Sequence, residues 1–245
     1  MKMFEDSHKR KILVIGSNSF SGSDFIDLLL EDCRNEVVGV SRAREKSSLF
    51  LPYRNRDKHH FKFYRMDLNK DMLSLFKLIS EFRPQYVVNF AAQSEVGPSW
   101  CNPEHWFQTN VVALARLTNE LRDKSWLRKY LHISSPEVYG TCEGTVTESA
   151  TLNPSTPYAA SKAAADLFLS TLARNFDFPL VTVRSTNVYG KHQQLWKIIP
   201  RSVIYLKLRK VIELHGGGRA VKSYIHIRDV SRGELLAMSN GKAGK

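Results

Sequence analysis

The chain has 245 residues, of which 42% are hydrophobic, so it can bury a sizeable core as one domain or as one domain with part of another. Its formal net charge of +12 comes from lysine and arginine spread along the chain without a nucleic-acid-binding motif, which suits a small anionic substrate such as a nucleotide better than a nucleic acid. No apolar run is long enough to span a membrane, the first eleven residues are polar, and three cysteines show no metal-ligand spacing. We therefore expect a cytoplasmic protein that binds no metal, membrane or nucleic acid.

The chain opens with a predicted strand, a glycine loop and a helix. Residues 11–15 are wholly apolar, as in a parallel strand covered on both faces, and residues 25–30 are helical in pattern. Amide groups at the start of such a helix bind a pyrophosphate, and glycines let it approach. Ser19 stands where a middle glycine is usual, but it is small enough to fit. The predicted cofactor contacts in this loop are Gly16, Ser19, Phe20, Ser21 and Gly22.

The second predicted strand, residues 36–40, bears on the choice between NAD and NADP. An Asp or Glu after this strand binds the free ribose of NAD, whereas Arg binds the 2′-phosphate of NADP. Ser41, Arg42 and Arg44 follow this strand, and no acid stands among them. The sequence therefore favours NADP over NAD, but arginines that are merely solvated would leave the choice open.

Two further strands lead into candidate cofactor contacts. The predicted strand at residues 61–66 is followed by Asp67, which either contacts the adenine of the cofactor or caps the predicted helix that runs to residue 82. Residues 85–92 end in small side chains that leave room either for a cofactor or for close helix packing. The predicted contacts are Asp67, Leu68, Phe90, Ala91 and Ala92.

A long helix is predicted over residues 104–121, with Asn110 as an unusual polar residue in a core-like stretch. Strands recur at residues 130–134 and 180–184. Strands that alternate with helices predict an α/β fold, a Rossmann-like doubly wound parallel sheet.

The stretch from Ser134 to Lys162 holds the candidate chemistry. Ser134 and Ser135 end a strand, and Tyr158 and Lys162 lie four residues apart on a helix that Ser155 or Thr156 can cap. A nearby ammonium lowers the pKa of a tyrosine, which makes Tyr158 a candidate base for an alcohol. This spacing alone is more typical of a solvated pair. The serines and the glycine loop favour the catalytic interpretation.

Together these motifs resemble the extended short-chain dehydrogenase/reductase superfamily and its NAD-dependent epimerase/dehydratase family. The resemblance covers essentially the whole chain. Within the family, the chain is most similar to nucleotide-sugar 4,6-dehydratases of the dTDP-glucose and GDP-mannose types. The residues that carry it lie at 16–22, 89–94, 133–140, 157–166, 187–190 and 198–229.

This resemblance implies a mechanism and a set of ligands. Tyr158, helped by Lys162 and Ser135, deprotonates the sugar 4-hydroxyl while hydride passes from C4 to the nicotinamide. Glu137 then removes the C5 proton, water leaves C6, and the hydride returns there. Asn110, Ser134, Tyr158 and Lys162 are implied as further cofactor contacts. The implied substrate contacts are Ser94, Ser135, Pro136, Glu137, Asn187 and Lys222.

Three residues depart from the dehydratase pattern. Pro136 stands where dTDP-glucose dehydratases have an aspartate acid, so the leaving hydroxyl needs another proton donor or a water. Lys222 replaces an arginine that grips the phosphates, which keeps the charge and loses the bidentate fork. Glu95 replaces a histidine. Glu137 itself can be read alternatively as an exposed loop carboxylate.

The last third of the chain is predicted to be the start of a smaller substrate lobe. We divide the chain into a dinucleotide-binding domain, residues 1–186, and a partial nucleotide-sugar-binding domain, residues 187–245, which we expect to be truncated. The pattern predicts a helix at residues 197–208, short strands at 211–214 and 224–227, and a glycine turn at 216–218. The resemblance also implies a homodimer through the helices that begin near residues 104 and 158.

Two other functional classes stay open. The same Tyr/Lys oxidation serves 4-epimerases and decarboxylases of UDP-sugars. A cofactor-binding regulatory subunit without turnover is also compatible with Pro136 and the short C-terminal lobe.

Overall fold

In a computed structural model of the chain, residues 9–57, 59–219 and 221–244 are described. Residues 1–8 and residue 245, which belong to the two predicted domains, lie outside the described residues.

The described chain builds a parallel sheet of six strands in the order β3-β2-β1-β4-β5-β6. The order reverses between β1 and β4, which opens a crevice at the carboxyl ends of these strands. This confirms the predicted doubly wound α/β fold. The strands are β1 (Arg10–Ile15), β2 (Asn35–Ser41), β3 (Phe61–Arg65), β4 (Tyr86–Asn89), β5 (Lys129–Ile133) and β6 (Leu180–Val183).

Helices cover both faces of this sheet, because alternate residues of each strand point to opposite sides. Leu13 and Ile15 of β1 belong to one buried cluster, which α2, α5 and α6 complete, whereas Ile12 and Val14 belong to a second, completed by α1 and α8. The helices are α1 (Phe20–Leu29), α2 (Met72–Phe82), α3 (Val96–Ser99), α4 (Pro103–Phe107), α5 (Leu114–Leu121), α6 (Pro157–Phe176), α7 (Ile198–Lys207) and α8 (Ile227–Asn240).

The helix predicted over residues 104–121 contains a π-helical segment, Gln108–Ala113, between α4 and α5. Such a segment adds a residue to the helical turn and turns a side chain away from its regular helical position. Asn110 lies in this segment and is 3% exposed.

The C-terminal part contains a second, two-stranded parallel sheet of β7 (Asn187–Tyr189) and β8 (Tyr224–His226). The strand predicted at residues 211–214 is wrong. In the described part of the chain residues 211–214 are irregular and join neither sheet, and Val211 is 82% exposed. The predicted glycine turn forms a 3₁₀ turn, His215–Gly218.

Helix α8 was not predicted, and it packs against α1 and strands β5 and β6. Leu235 and Met238 of α8 join the buried cluster that contains Ile12 and Val14. The division at residue 187 stays a prediction, although α8 from the second segment completes the core of the first.

None of the helices in the described ranges is long and apolar enough to cross a membrane.

Candidate active site

The glycine loop connects β1 to α1 and lies close to the backbone of the segment that follows β4. Gly16 has a φ of +86°, and a Cβ atom there would lie 2.6 Å from the backbone nitrogen of Ala91. A Cβ atom on Gly22 would lie 2.5 Å from the carbonyl oxygen of Gly16. Ser19 caps α1, since its side chain accepts a hydrogen bond from the Gly22 amide at 3.0 Å. The start of α1 is thus a cradle of backbone amides that fits a pyrophosphate.

A cavity of about 350 Å³ opens beside this loop at the carboxyl ends of β1, β2, β3 and β4. Its volume lies in the range of pockets that hold small ligands. The structure thereby brings together nine of the residues that the sequence predicted to contact the cofactor. The predicted residues on the cavity wall are Gly16, Ser19, Ser41, Arg42, Asp67, Leu68, Phe90, Ala91 and Ala92.

Other predicted cofactor contacts lie outside this wall. Phe20, Ser21 and Gly22 form the first turn of α1 behind the loop. Arg44 does not line the cavity, whereas Lys46, which the sequence analysis did not single out, does. Asp67 is not the cap of α2, because that helix begins after Asp71.

Asn18 is a second wall residue that the sequence analysis did not single out. Its Nδ2 atom donates to the carbonyl oxygens of Ala43 and Arg44 at 2.9 and 3.0 Å, and its backbone amide donates to Ser41 Oγ at 3.0 Å. Asn18 therefore holds the loop after β2 in place, and its position inside the glycine loop was the signal that could have found it.

Asn110 is hydrogen-bonded to Gln93, which lines the cavity. Asn110 Oδ1 accepts from the Gln93 amide at 2.8 Å, and Asn110 Nδ2 donates to the Gln93 carbonyl at 3.1 Å and to Ser161 Oγ at 2.9 Å. The predicted contact of Asn110 with the cofactor stays a prediction, while its role in anchoring the loop after β4 is established.

Tyr158 and Lys162 lie on α6, which Thr156 caps by accepting from the Ala159 amide at 3.1 Å. Burial raises the pKa of Tyr158, a hydrogen bond with Ser135 works in the opposite direction, and the charges of Glu137 and Asp166 raise it further. The pKa of Tyr158 is therefore raised overall, whereas the sequence predicted that a nearby ammonium lowers it toward neutrality. Lys162 Nζ instead donates to the Ile133 carbonyl at 2.8 Å.

The buried environment also changes Lys162 itself. The residue is 3% exposed, and burial lowers the pKa of its ammonium to about 8, with Asp166 acting in the opposite direction. Lys162 can therefore change its charge state near neutral pH, which surface lysines do not do.

Four of the predicted substrate contacts lie together. Ser135 caps the short turn Pro136–Tyr139, because its hydroxyl accepts from the Glu137 amide at 3.2 Å. Glu137 Oε1 lies 3.8 Å from Lys222 Nζ. This ion pair connects the turn to the segment just before β8.

The remaining predicted substrate contacts are not joined to this group. Ser94 is exposed on the loop after β4. Asn187 Nδ2 donates to the Ser223 carbonyl at 3.2 Å and so helps to hold β7 beside β8. Glu95, next to Ser94, lies 3.7 Å from Lys197.

Comparison with known proteins gives a consistent result. The model of the NAD dependent epimerase/dehydratase family matches residues 12–245. The dTDP-D-glucose 4,6-dehydratase of Bos taurus is 30% identical over 243 residues, which make up 98% of this chain and 68% of that protein.

Solved structures of both dehydratases and epimerases share the fold. A dTDP-glucose 4,6-dehydratase from Streptomyces venezuelae with NAD bound has a TM-score of 0.86 and 30% identity, with 96% of this chain and 73% of that one covered. A UDP-glucuronic acid 4-epimerase from Bacillus cereus in complex with UDP-glucuronic acid and NAD has a TM-score of 0.84 and 26% identity, with 95% and 74% covered.

Proposed function

The chain belongs to the NAD dependent epimerase/dehydratase family, and from this premise we propose that it is a nucleotide-sugar 4,6-dehydratase. Its product would be a 4-keto-6-deoxy sugar nucleotide, formed by transient oxidation at C4. The observation that carries the proposal is the grouping of Ser135, Glu137 and Tyr158, in which Ser135 hydrogen-bonds with both the Glu137 amide and the Tyr158 side chain. With Tyr158 as the base for the alcohol and Glu137 as a carboxylate base, both bases would act on the same sugar.

The side chains divide the work as follows. Tyr158 takes the proton of the sugar 4-hydroxyl, and Ser135 hydrogen-bonds the same oxygen. The charged form of Lys162 offsets the effect of burial on Tyr158 and favours its phenolate. A bound NAD(P) would supply the hydride chemistry, taking the hydride from C4 and returning it to C6.

Glu137 is the base for the elimination. Oxidation at C4 acidifies the C5 proton, and the Glu137 carboxylate removes it before the C6 hydroxyl leaves as water. Pro136 has no proton to donate, so that hydroxyl is protonated by water or by a different side chain. Lys222, which lies 3.8 Å from Glu137, would bind the diphosphate.

We also propose that NADP is the preferred cofactor. Arg42 and Lys46 both line the cavity, and no acid lies among the residues that follow β2 on its wall. Two cations there suit a 2′-phosphate, whereas the related structures bind NAD.

A 4-epimerase of UDP-sugars is the second candidate. Pro136 favours it, because epimerisation needs the alcohol oxidation but no acid for a leaving hydroxyl. In that case Glu137 would not act as a base. The homodimer and the cytoplasmic location predicted from the sequence stay predictions.

The decisive experiment is mass spectrometry after incubation with dTDP-, GDP-, CDP- and UDP-sugars, run in parallel with NAD and NADP. A product lighter than its substrate by one water supports the dehydratase. An isomer of unchanged mass, separated from the substrate by chromatography before mass spectrometry, would establish the epimerase. Release of carbon dioxide would establish a decarboxylase. A protein that binds cofactor and converts none of these sugars would overturn the proposal and support a regulatory subunit.

A further inference from the structure

A buried polar cluster lies behind the catalytic pair, and Asp166 is at its centre. Asp166 follows Lys162 by one turn of α6 and is 3% exposed. Its Oδ2 atom accepts from Ser134 Oγ at 2.8 Å and from Arg184 Nε at 2.9 Å. Its Oδ1 atom lies 3.5 Å from His132 Nε2. A buried carboxylate with this many partners is costly to disturb.

One arm of the cluster leads to Lys162. The Nζ atom of Lys162 lies 3.4 Å from His132 Nε2, so His132 stands between the lysine and Asp166. Burial, followed by the charges of Lys162 and Arg184, holds the pKa of His132 well below its ordinary value, so this histidine is neutral. Among the described charged groups near Lys162, Asp166 is therefore the one that favours the ammonium, in addition to the hydrogen bond that the Ile133 carbonyl accepts.

The other arm leads to the loop that carries Glu137. Arg184 Nη1 donates to the Tyr139 hydroxyl at 2.7 Å, and the guanidinium lies 5.2 Å from the centre of the Tyr139 ring. Tyr139 is the last residue of the turn Pro136–Tyr139. Ser134, the second donor to Asp166, directly precedes Ser135.

We propose that Asp166 is the positioning residue that couples the two halves of the reaction. Through its charge it keeps Lys162 an ammonium beside Tyr158, and through Arg184 and Ser134 it holds the loop with Ser135 and Glu137 in register with α6. One buried carboxylate thus aligns the alcohol base with the elimination base. This inference rests on the proposed function for the roles of these side chains.

The first test is an NMR titration of the protein labelled with ¹³C-lysine, without cofactor or substrate, in which a Lys162→Met variant identifies the Lys162 signal. The parent signal should titrate near pH 8. In Asp166→Asn the ammonium loses its opposing charge, so the midpoint should fall by about 1 pH unit. Asp177→Asn, at the exposed C-cap of the same helix, is the matched control and should not move it.

A second variant tests the charge role of Asp166 even if Asp166→Asn does not fold. Arg184→Gln removes the cation that competes for Asp166, so the Lys162 midpoint should rise. Shifts of opposite sign in the two variants exclude a general loosening of the core as the cause. An unchanged midpoint in either folded variant would overturn the charge role of Asp166.

Hydrogen exchange of the loop amides tests the other arm. Tyr139→Phe removes only the hydroxyl that Arg184 contacts, so exchange of the amides of residues 137–140 should quicken several-fold while the Lys162 titration stays as in the parent. Unchanged exchange would overturn the coupling to the loop. Neither readout needs turnover, so these failures are distinguishable from a failure of the proposed function.

Discussion

At the scale of single residues, Tyr158 combines a catalytic assignment with an unfavourable environment. Burial raises the pKa of its hydroxyl, and the carboxylates of Glu137 and Asp166 add to that effect. Tyr158 and Lys162 both lie on α6, as the sequence predicted. Their pKa values depend on burial and on Asp166 of the same helix, and that of Tyr158 depends also on Ser135 and Glu137, which follow β5.

Tyr158→Phe tests the alcohol base. Because the variant lacks the hydroxyl that takes the proton, turnover should fall by roughly 10²–10⁴-fold or more, while cofactor affinity stays as in the parent. Product is measured by mass spectrometry and cofactor binding by fluorescence titration. Tyr64→Phe, on the exposed side of β3, is the control. Turnover at the parent rate would refute the assignment.

Glu137→Gln separates oxidation from elimination. The amide keeps the shape of the side chain but does not accept the C5 proton, so absorbance of the reduced cofactor at 340 nm should build up in the presence of substrate without dehydrated product. Glu143→Gln, an exposed carboxylate in the next loop, should behave like the parent. Normal product formation by Glu137→Gln would remove this residue from the mechanism.

At the scale of elements, the π-helical segment between α4 and α5 and the packing of α8 on α1 both depend on buried polar groups. Asn110 and Glu234 represent two opposite cases. Asn110 uses both ends of its amide, whereas neither carboxyl oxygen of Glu234 has a hydrogen-bond partner among the described residues.

Asn110→Ala should destabilise the loop after β4. Both backbone groups of Gln93 and the Ser161 hydroxyl lose a partner, which costs about 2–4 kcal/mol of unfolding free energy and weakens cofactor binding. Urea denaturation and cofactor titration measure the two effects. Asn175→Ala, at an exposed position of α6, should change neither by more than about 0.5 kcal/mol.

Glu234→Gln should change how stability depends on pH. Burial, and then the charge of Asp24, raise the pKa of Glu234 well above 4.5. The contribution of Glu234 to the free energy of unfolding is therefore fully present below the ordinary pKa of a glutamate. It is lost as the pH rises through the raised pKa. The variant does not ionise, so its free energy of unfolding relative to that of the parent should increase from pH 4 to pH 8.

Urea denaturation at several pH values measures this difference between Glu234→Gln and the parent. Glu213→Gln, at an exposed carboxylate, serves as the control and should follow the parent. A difference that stays constant across pH would show that folding does not raise the pKa of Glu234 and would refute this prediction.

At the scale of the whole molecule, helices that contact each other carry exposed apolar side chains. Leu167 and Phe176 of α6 are 57% and 51% exposed, and Phe107 of α4 and Val112 of the π-helical segment, both of which pack against α6, are 39% and 44% exposed. Exposed apolar groups on adjacent helices favour association between copies.

We expect the protein to sediment at twice the 28.0 kDa of the chain. Leu167→Glu places a charge on the helix face that would be buried between copies, so it should shift the mass to that of one chain at micromolar concentration. Leu73→Glu, at a 78% exposed position on α2, should leave the dimer intact. A parent protein that sediments as a monomer would contradict this prediction.

Local pattern was enough to predict the sheet, the glycine loop and the helix that carries Tyr158 and Lys162. The apolar side chains of β1 belong to two buried clusters, because successive side chains of a strand point to opposite faces of the sheet. The four-residue spacing puts Tyr158 and Lys162 on one face of α6. These features depend on residues close together in the chain, and their periodicity is visible in the sequence.

Only the tertiary structure decided which distant groups meet. The contacts of Asp166 with His132 and Arg184, the place of Lys46 on the cavity wall, and the packing of Glu234 near Asp24 join residues from separate elements. Such contacts leave no periodic signal, because each depends on how whole elements pack. The apolar residues at 211–214 show the converse: their strand-like pattern forms no strand, because they pair with none of the strands that the structure describes.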